Sequence, residues 1–253
     1  MLWLKKNPFN IAADNLANLR SNPYPGRGII VGLNETGQYL IQAYWIMGRS
    51  DNSRNRVFVC DEVDGSVQTA AADPEQVRDP SLIIYTAMAE KDLKYVVSNG
   101  HQTLPVLNGK NCSDLNKLLL SWSYEPDVPN YTPRITALIN LHCDGDVVAE
   151  FGVLSKSSLS DKCERSIYSI PLRKTGFGYC ITTYKGNGNP LPPFEDSPYL
   201  MPLHGDINDI TRTLWNALNE ENKVSLVVKF IDTKTGKSEM EVVNKYEQIM
   251  VEA

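Results

Sequence analysis

The sequence has little of what marks several common classes of protein. Its five cysteines are widely spread among 253 residues without a Cys-x-x-Cys pair, and its three histidines fit no metal-ligand spacing. Neither a zinc site nor a disulfide framework is therefore expected. No apolar run approaches the ~20 residues that a membrane-spanning helix needs. The formal net charge of −5 argues against a general nucleic-acid surface, which is normally basic.

Familiar catalytic motifs and export signals are missing too. The chain has no Gly-x-Ser-x-Gly elbow and no phosphate loop that ends in Gly-Lys-Ser/Thr. Its first eight residues, MLWLKKNP, lack the apolar stretch of a secretory signal, so a cytoplasmic location with reduced, mostly buried thiols is expected. Residues 1–3 offer no nucleophile, which disfavours hydrolysis through a free N-terminus unless the chain is processed.

What the sequence does have is an arginine loop, residues 48–56 (GRSDNSRNR), between apolar runs at 39–47 and 57–60. Arginine offers a planar fork of donors that matches phosphate or carboxylate, while serine and asparagine add neutral donors. The candidate binding residues in this loop are Arg49, Ser50, Ser53, Arg54, Asn55 and Arg56. A solvated hairpin tip would have a similar polar composition. In a protein of net charge −5, however, a compact arginine cluster favours a pocket for a small anion.

Apolar runs and turn signals predict a single domain over residues 1–253, in which strands outnumber helices. Asn7-Pro8 begins a helix that ends near residue 21, so residues 1–22 form a leading helical extension, and Asp206 caps another helix. Strand pairs are expected at 29–33 with 38–47, 135–141 with 147–154, 166–172 with 178–184, and 223–231 with 238–246. Several strands are almost wholly apolar, which requires cover on both sheet faces. An α+β fold of two packed sheets with helices outside meets that requirement.

Other polar segments are candidates for the rest of a site. The connector, residues 124–134, holds three prolines, which rule out regular structure and make it a stiff segment that presents Glu125, Tyr131 and Arg134. Asn99 follows a predicted strand, although Asn99-Gly100 is also a good turn pair. Residues 185–204 are rich in Gly, Asn and Pro, which predicts a long loop, either a lid or a surface excursion. His142 lies in a predicted strand and is expected to pack in the core.

Motifs in these segments occur in an order that resembles the archaeal-type IMP cyclohydrolase family. They are GRS and NR in the arginine loop, VSNG at 97–100, YE at 124–125, NYTPRI at 130–135, and residues 179–184. The resemblance covers about residues 24–190. The leading helix before Tyr24 and the long 185–204 segment depart from the family's pattern.

This resemblance implies a fold similar to the N-terminal-nucleophile hydrolases, a four-layer αββα sandwich. It also implies that the protein closes 5-formamidoimidazole-4-carboxamide ribonucleotide (FAICAR) to inosine monophosphate (IMP) with loss of water, a step of purine biosynthesis, without metal or cofactor. Tyr85, Asn99, Glu125 and Arg134 fall at positions similar to the family's catalytic residues, and the arginine loop with Tyr184 at positions similar to its substrate-binding residues. A purine nucleotide as ligand and a homo-oligomer are expected on the same ground.

The chemistry suits these residues, but two other classes remain open. In FAICAR the carboxamide nitrogen and the formyl carbon are neighbours, so Glu125 with Tyr85 would move protons while Asn99 or Arg134 faces the formyl oxygen. A catalytically silent nucleotide-binding protein would keep the arginines without arranging Glu125 and Tyr85 near a base. An amide hydrolase on the same fold would need an activated Ser, Cys or Thr, and the sequence nominates none.

Overall fold

The structure, a computed structural model, describes residues 7–77, 79–110, 114–142 and 146–248. Residues 1–3, Cys112, Cys143 and most of the turn expected between 141 and 147 lie outside the described residues. Within the described ranges, no helix has the length and apolar character needed to cross a membrane.

Thirteen strands form two antiparallel sheets in the described part of the chain. In chain order they are β1 Gly28–Leu33, β2 Tyr39–Met47, β3 Val57–Asp61, β4 Ser66–Ala70, β5 Thr86–Lys91, β6 Lys94–Ser98, β7 Arg134–Asn140, β8 Val148–Lys156, β9 Cys163–Pro171, β10 Phe177–Thr182, β11 Tyr199–Pro202, β12 Lys223–Asp232 and β13 Ser238–Asn244. The first sheet has the order β11-β10-β1-β2-β12-β13, and the second runs from β3 to β9 in sequence. The second sheet is thus a meander, whereas the first combines strands from both ends of the chain.

The helices are few and mostly short. They are α1 Pro8–Ser21, α2 Asp51–Arg54, α3 Thr103–Leu107, α4 Leu115–Leu118 and α5 Ile207–Trp215, with single 3-10 turns at Pro74–Gln76 and Pro80–Leu82. The two longest helices begin where the sequence predicts. Asn7 caps α1 by accepting a hydrogen bond from the backbone N of Phe9 (3.0 Å), and Asp206 caps α5 in a capping box with Asp209.

Two sheets packed face to face, with helices against their outer faces, make four layers. The core between the sheets joins residues of the first sheet, such as Tyr44 and Val227, to residues of the second, such as Phe151. A second cluster lies under α1 and α5 on the outer face of the first sheet, and a third under α3 and α4 on the outer face of the second. The expected α+β class with two antiparallel sheets is confirmed. All six residues of β1 are buried because both faces of its sheet are covered.

The structure corrects three expectations. Strands β9 and β10, predicted as a pair, belong to different sheets: β9 pairs with β8, whereas β10 pairs with β1 and β11. His142 is exposed, because β7 ends at Asn140 and the Asn140 side chain accepts a hydrogen bond from the backbone N of His142, which turns the chain outward. Of the three described cysteines, only Cys180 is fully buried, and burial raises its pKa to about 12.

The segment predicted as a loop at 185–204 also contains regular structure. Strand β11 lies within it and pairs with β10, and Tyr184 forms an isolated bridge with Pro193. The segment is therefore an ordered excursion that returns to the edge of the first sheet.

Candidate active site

A cavity of about 250 Å³ lies at one end of the first sheet, where the antiparallel register brings distant segments together. Gly28 at the start of β1 pairs with Trp45 near the end of β2 and with Thr182 at the end of β10. Residues just outside these strand ends therefore surround one space. The connector before β7 supplies the opposite wall, with Glu125, Asp127, Asn130 and Thr132 among the lining residues.

The arginine loop connects the two sheets. It leaves β2 in the first sheet and enters β3 in the second, so it is not a hairpin tip. Its middle forms α2, and Ser50 caps this helix in a capping box with Ser53, whose hydroxyl lies 3.0 Å from that of Ser50. Both serines line the cavity, and their hydrogen bonds hold the loop in a fixed shape.

Arg56 and Arg27 each present an unpaired, buried N–H group. Arg56 is fully buried; its Nε donates to the carbonyl of Ser53 (2.8 Å) and its Nη2 to that of Met47 (3.2 Å). Nη1 of Arg56 and Nε of Arg27 have no hydrogen-bond partner among the described residues, and both side chains line the cavity. Burial and the nearby charge of Arg27 lower the pKa of Arg56. Buried donors without partners are rare in folded proteins, so these two groups are suited to an anion.

Arg49, at the exposed rim, is oriented by the 185–204 segment. Its Nη1 donates to Oδ1 of Asn187 (2.7 Å) and to the carbonyl of Gly188 (2.8 Å). Its guanidinium also lies 5.0 Å from the ring centre of Tyr24. Arg49 lines the cavity, and its Nε and Nη2 donors have no hydrogen-bond acceptor among the described residues.

Arg54 and Asn55 do not line this cavity. Arg54 donates to the carbonyl of Gly48 (3.1 Å) and to Oδ1 of Asn222 (3.3 Å), and Asn55 exchanges two 2.7 Å hydrogen bonds with the backbone of Asp73. These two residues therefore stabilise the conformation of the arginine loop, and they are not among the residues that line the cavity with Arg56.

Glu125 directs a buried carboxylate at the two arginines beside it. Its backbone N donates to the carbonyl of Thr132 (2.8 Å), which holds this part of the connector in place. Its carboxylate lies 3.7 Å from Nη2 of Arg27 and 3.8 Å from Nη1 of Arg134, and it accepts no hydrogen bond from the described residues within the distance that defines one. Burial raises the pKa of Glu125, although the charges of Arg27 and Arg134 oppose this shift.

Of the other predicted catalytic residues, Arg134 lies beside this carboxylate, and none of Arg134, Asn99 and Tyr85 is among the residues that line the cavity. Arg134 begins β7, and its Nη1 also donates to Oε1 of Gln102 (3.2 Å). Asn99 is fully buried: its Nδ2 donates to the carbonyl of Pro133 (2.9 Å) and its Oδ1 accepts from the backbone N of Ile135 (2.8 Å). Asn99 thus fixes the backbone on both sides of Arg134 and does not line the cavity.

Tyr85 forms a buried pair with Tyr44, a residue that the sequence does not single out. Their hydroxyl oxygens are 2.7 Å apart. Burial and the neighbouring Tyr85 hold the pKa of Tyr44 well above its usual value, while the charge of Arg27 opposes the shift. The pair lies in the core between the sheets, behind the residues that line the cavity.

Arg27 is the main residue that sequence reasoning missed. The available signal was an arginine directly before an apolar strand, in the stretch Tyr24-Pro25-Gly26-Arg27-Gly28. Gly26 has φ of +74°, and a Cβ there would lie 2.2 Å from Oγ1 of Thr183 and 2.6 Å from the Tyr184 ring. Only glycine fits this close approach, which packs the chain against Tyr184 just before Arg27 enters the cavity.

Tyr184 is linked to the connector through Thr132. Its hydroxyl oxygen lies 2.5 Å from Oγ1 of Thr132, and the Thr132 hydroxyl donates in turn to a carboxylate oxygen of Asp127. The Tyr184 ring also stacks on that of Tyr24, with 6.0 Å between the ring centres. Burial raises the pKa of Tyr184, which keeps its phenol protonated at neutral pH.

The leading helix braces the segment that orients Arg49. Nδ2 of Asn22, just after α1, donates to the carbonyl of Lys185 (3.0 Å), and Nδ2 of Asn15 donates to that of Leu200 (2.9 Å).

The described residues contain no cluster of three or more His, Cys, Asp or Glu side chains that could hold a metal ion.

Comparison with known protein families identifies the family of this chain. The family model described as IMP cyclohydrolase-like protein matches residues 24–236, a range that begins just after α1 and includes every residue of the candidate site. No curated protein matches the chain.

Proposed function

The chain belongs to the IMP cyclohydrolase-like protein family, and from this premise we propose that it closes FAICAR to IMP with release of water. The observation that carries the proposal is the Glu125 carboxylate, which is 2% exposed and lies between Arg27 and Arg134, in a cavity where two arginine N–H groups have no partner among the described residues. A carboxylate kept free of hydrogen bonds has lone pairs available for a substrate proton.

The reaction forms a bond between the carboxamide nitrogen and the formyl carbon, and the loss of water replaces the formyl C=O bond with a C=N bond. The carboxamide nitrogen attacks the formyl carbon and loses one proton, which Glu125 accepts. The formyl oxygen then gains protons and leaves as water, while the former formamide nitrogen loses its proton to complete the purine ring. Because both reacting groups are on one molecule, the protein has to orient them and move protons, for which a positioned acid–base group contributes ~10²–10⁴-fold.

Arg134 is better placed than Asn99 to face the formyl oxygen. The Asn99 amide is bonded to Pro133 and Ile135, whereas the Arg134 guanidinium lies beside Glu125. A donor aimed at an oxygen that gains negative charge contributes ~10²–10³-fold in kcat. Tyr85 and Tyr44 lie in the core behind the residues that line the cavity, so they would influence proton transfer only through those residues.

The phosphate would bind at the other end of the cavity. Nη1 of Arg56 offers a buried donor in the arginine loop, and Arg49 closes the rim. A neighbouring cavity of about 450 Å³ shares Ser50 and Asn52 with the first, so the space extends along the arginine loop. The four layers further support the similarity to the N-terminal-nucleophile hydrolase fold.

The direct test is to incubate the purified protein with FAICAR and follow IMP by chromatography. We expect IMP to form far above the rate without protein, and Glu125→Gln to reduce that rate. Tight IMP binding without turnover would refute the cyclohydrolase and favour a catalytically silent nucleotide-binding protein. Release of ammonia or formate in place of IMP would favour the amide hydrolase.

A further inference from the structure

A hydrogen-bonded chain of three side chains forms part of the cavity wall. The backbone N of Thr132 donates to Oδ1 of Asp127 (2.6 Å), and the Thr132 hydroxyl donates to Oδ2 of the same carboxylate. The hydroxyl oxygen of Tyr184 lies 2.5 Å from Oγ1 of Thr132. All three residues line the cavity, and Thr132 and Tyr184 are only 1% and 2% exposed.

The carboxylate fixes the direction of this chain. An ionised carboxylate only accepts hydrogen bonds, and a threonine hydroxyl has one proton to donate. Thr132 uses that proton on Asp127, so Oγ1 of Thr132 must accept from Tyr184. The single proton of the Tyr184 phenol is then used as well, and the phenol oxygen can only accept a hydrogen bond from a ligand.

Tyr184 also lies between the two functional ends of the cavity. Its ring stacks on the ring of Tyr24, and the guanidinium of Arg49 lies over that same Tyr24 ring. Arg49 belongs to the end of the cavity where we expect the phosphate. Thr132, the partner of Tyr184, accepts a hydrogen bond through its carbonyl from the backbone of Glu125 at the reacting end. In a nucleoside monophosphate, the group between phosphate and base is the sugar, whose hydroxyls can donate a hydrogen bond as well as accept one.

We propose that Tyr184, held as an acceptor by Thr132 and Asp127, receives a hydrogen bond from a ribose hydroxyl and so selects ribonucleotides over deoxyribonucleotides. The inference rests on the proposed function, since it specifies the ligand of the same cavity. The arginines cannot make this contact, because a guanidinium has donors only. One neutral hydrogen bond corresponds to about 3- to 10-fold in affinity.

Calorimetry with IMP, 2′-deoxy-IMP and 3′-deoxy-IMP tests the inference. The wild type should bind IMP about 3- to 10-fold more tightly than at least one deoxy analogue. Tyr184→Phe should reduce the affinity for IMP to that of this analogue while leaving the analogue's own affinity unchanged, whereas general damage to the cavity would weaken both. Tyr95→Phe is the matched control, because Tyr95 is a buried tyrosine whose hydroxyl donates to the carbonyl of Gly236 away from the cavity.

Asp127→Asn tests the direction of the chain with Tyr184 intact. The new amide N–H₂ can donate to Thr132, which frees the Thr132 proton for Tyr184 and turns the phenol proton toward the ligand. A ribose hydroxyl can both donate and accept, so the direction is determined with the fluoro analogue of the selected position, whose fluorine can only accept. The wild type should bind this analogue no more tightly than the deoxy analogue, and Asp127→Asn should bind it more tightly than the wild type does. A wild type that favours the fluoro analogue over the deoxy analogue would contradict the assigned direction.

Three outcomes overturn the inference: equal wild-type affinities for all three nucleotides, selection that persists in Tyr184→Phe, or no IMP binding. FAICAR turnover is measured separately. Selection without turnover would support the inference and refute the proposed function, and turnover without selection would do the reverse.

Discussion

Oε2 of Glu125 lies 3.7 Å from Nη2 of Arg27, at the meeting point of the connector and the start of the first sheet. This distance allows charge attraction but is longer than a hydrogen bond, so the carboxylate is stabilised without having its lone pairs occupied. Both groups are almost fully buried, which strengthens their interaction and makes the loss of either one costly.

Glu125→Gln should separate binding from turnover. Glutamine keeps the shape and the hydrogen-bonding reach but cannot accept the substrate proton, so kcat should fall by about 10²-fold or more. IMP affinity should change little, because the donors of Arg49 and Arg56 are untouched. Glu164→Gln, at an exposed position of β9, is the matched control. A wild-type kcat in Glu125→Gln would exclude the carboxylate from the proton transfers and make Tyr85 the next candidate.

The pH dependence of turnover should reflect the raised pKa of Glu125. Burial favours its protonated form, so the active carboxylate is lost, as pH falls, at a higher pH than for an ordinary glutamate. A plot of kcat/KM against pH should therefore show an acid limb above the usual glutamate range, absent in Glu125→Gln. The same shift means that Glu125 contributes less to stability as pH rises from its unfolded-state pKa through its folded-state pKa. An acid limb at the ordinary glutamate pKa would contradict this assignment.

Arg56→Ala and Arg49→Ala should weaken IMP binding. Losing a charge-assisted hydrogen bond costs ~1.5–3 kcal/mol, which corresponds to about 10- to 100-fold in affinity. Arg49 is exposed, so its variant tests the prediction even if the buried Arg56 proves necessary for folding. Calorimetry measures both, with Arg212→Ala, on the exposed side of α5, as the control. Unchanged affinity in both variants would remove the arginine loop from the binding site.

Turnover should not depend on a divalent metal ion. The His and Cys spacings fit none, and the described residues offer no cluster of ligands for one. Activity after treatment with EDTA should therefore match the untreated enzyme. Loss of activity that a single divalent ion restores would count decisively against this prediction.

The ion pair of buried Lys229 with half-buried Glu90 should stabilise the contact between the sheets. Lys229 in β12 is 1% exposed, donates to the carbonyl of Gly65 (2.7 Å) and pairs with Glu90 in β5. Lys229→Ala would leave this partly exposed carboxylate with Ser238 as its remaining hydrogen-bond donor and should reduce the free energy of unfolding by ~1–3 kcal/mol, measured in urea. The exposed Lys162→Ala is the control, and the double change Lys229→Met with Glu90→Gln should cost less than Lys229→Ala. A loss below ~1 kcal/mol would show that the pair does little for stability.

Elements with a local signal could be predicted from the sequence. The two longest helices have caps at Asn7 and Asp206, and the hairpins β1–β2, β7–β8 and β12–β13 join strands close in the chain. The pairing of β9 and β10 was wrong because closeness along the chain does not decide which sheet a strand joins. The chain crosses between sheets after β9, and β10 finds its partner in β1, about 150 residues earlier.

The candidate site shows the same division. Glu125, Arg134 and Arg56 could be named because each belongs to a compact local motif; in the structure Glu125 and Arg56 line the cavity and Arg134 lies beside Glu125. Arg27 and Tyr44 lack such a motif, and their importance comes from what they meet in space. Arg54 has the same local surroundings as Arg56 but faces Gly48 and Asn222 instead of the cavity.

The sequence by itself determined the family, the α+β class, the stiff connector and the compact arginine loop, since each depends on residues close together in the chain. Only the tertiary structure decided that Arg27, Arg56, Glu125 and Tyr184 share one cavity. The register of β1 with β2 and β10 brings three of these segments to one end of the first sheet, and packing against the second sheet adds the connector. Burial then does what no local pattern can encode: it leaves two arginine N–H groups without a partner among the described residues, and it raises the pKa of Glu125.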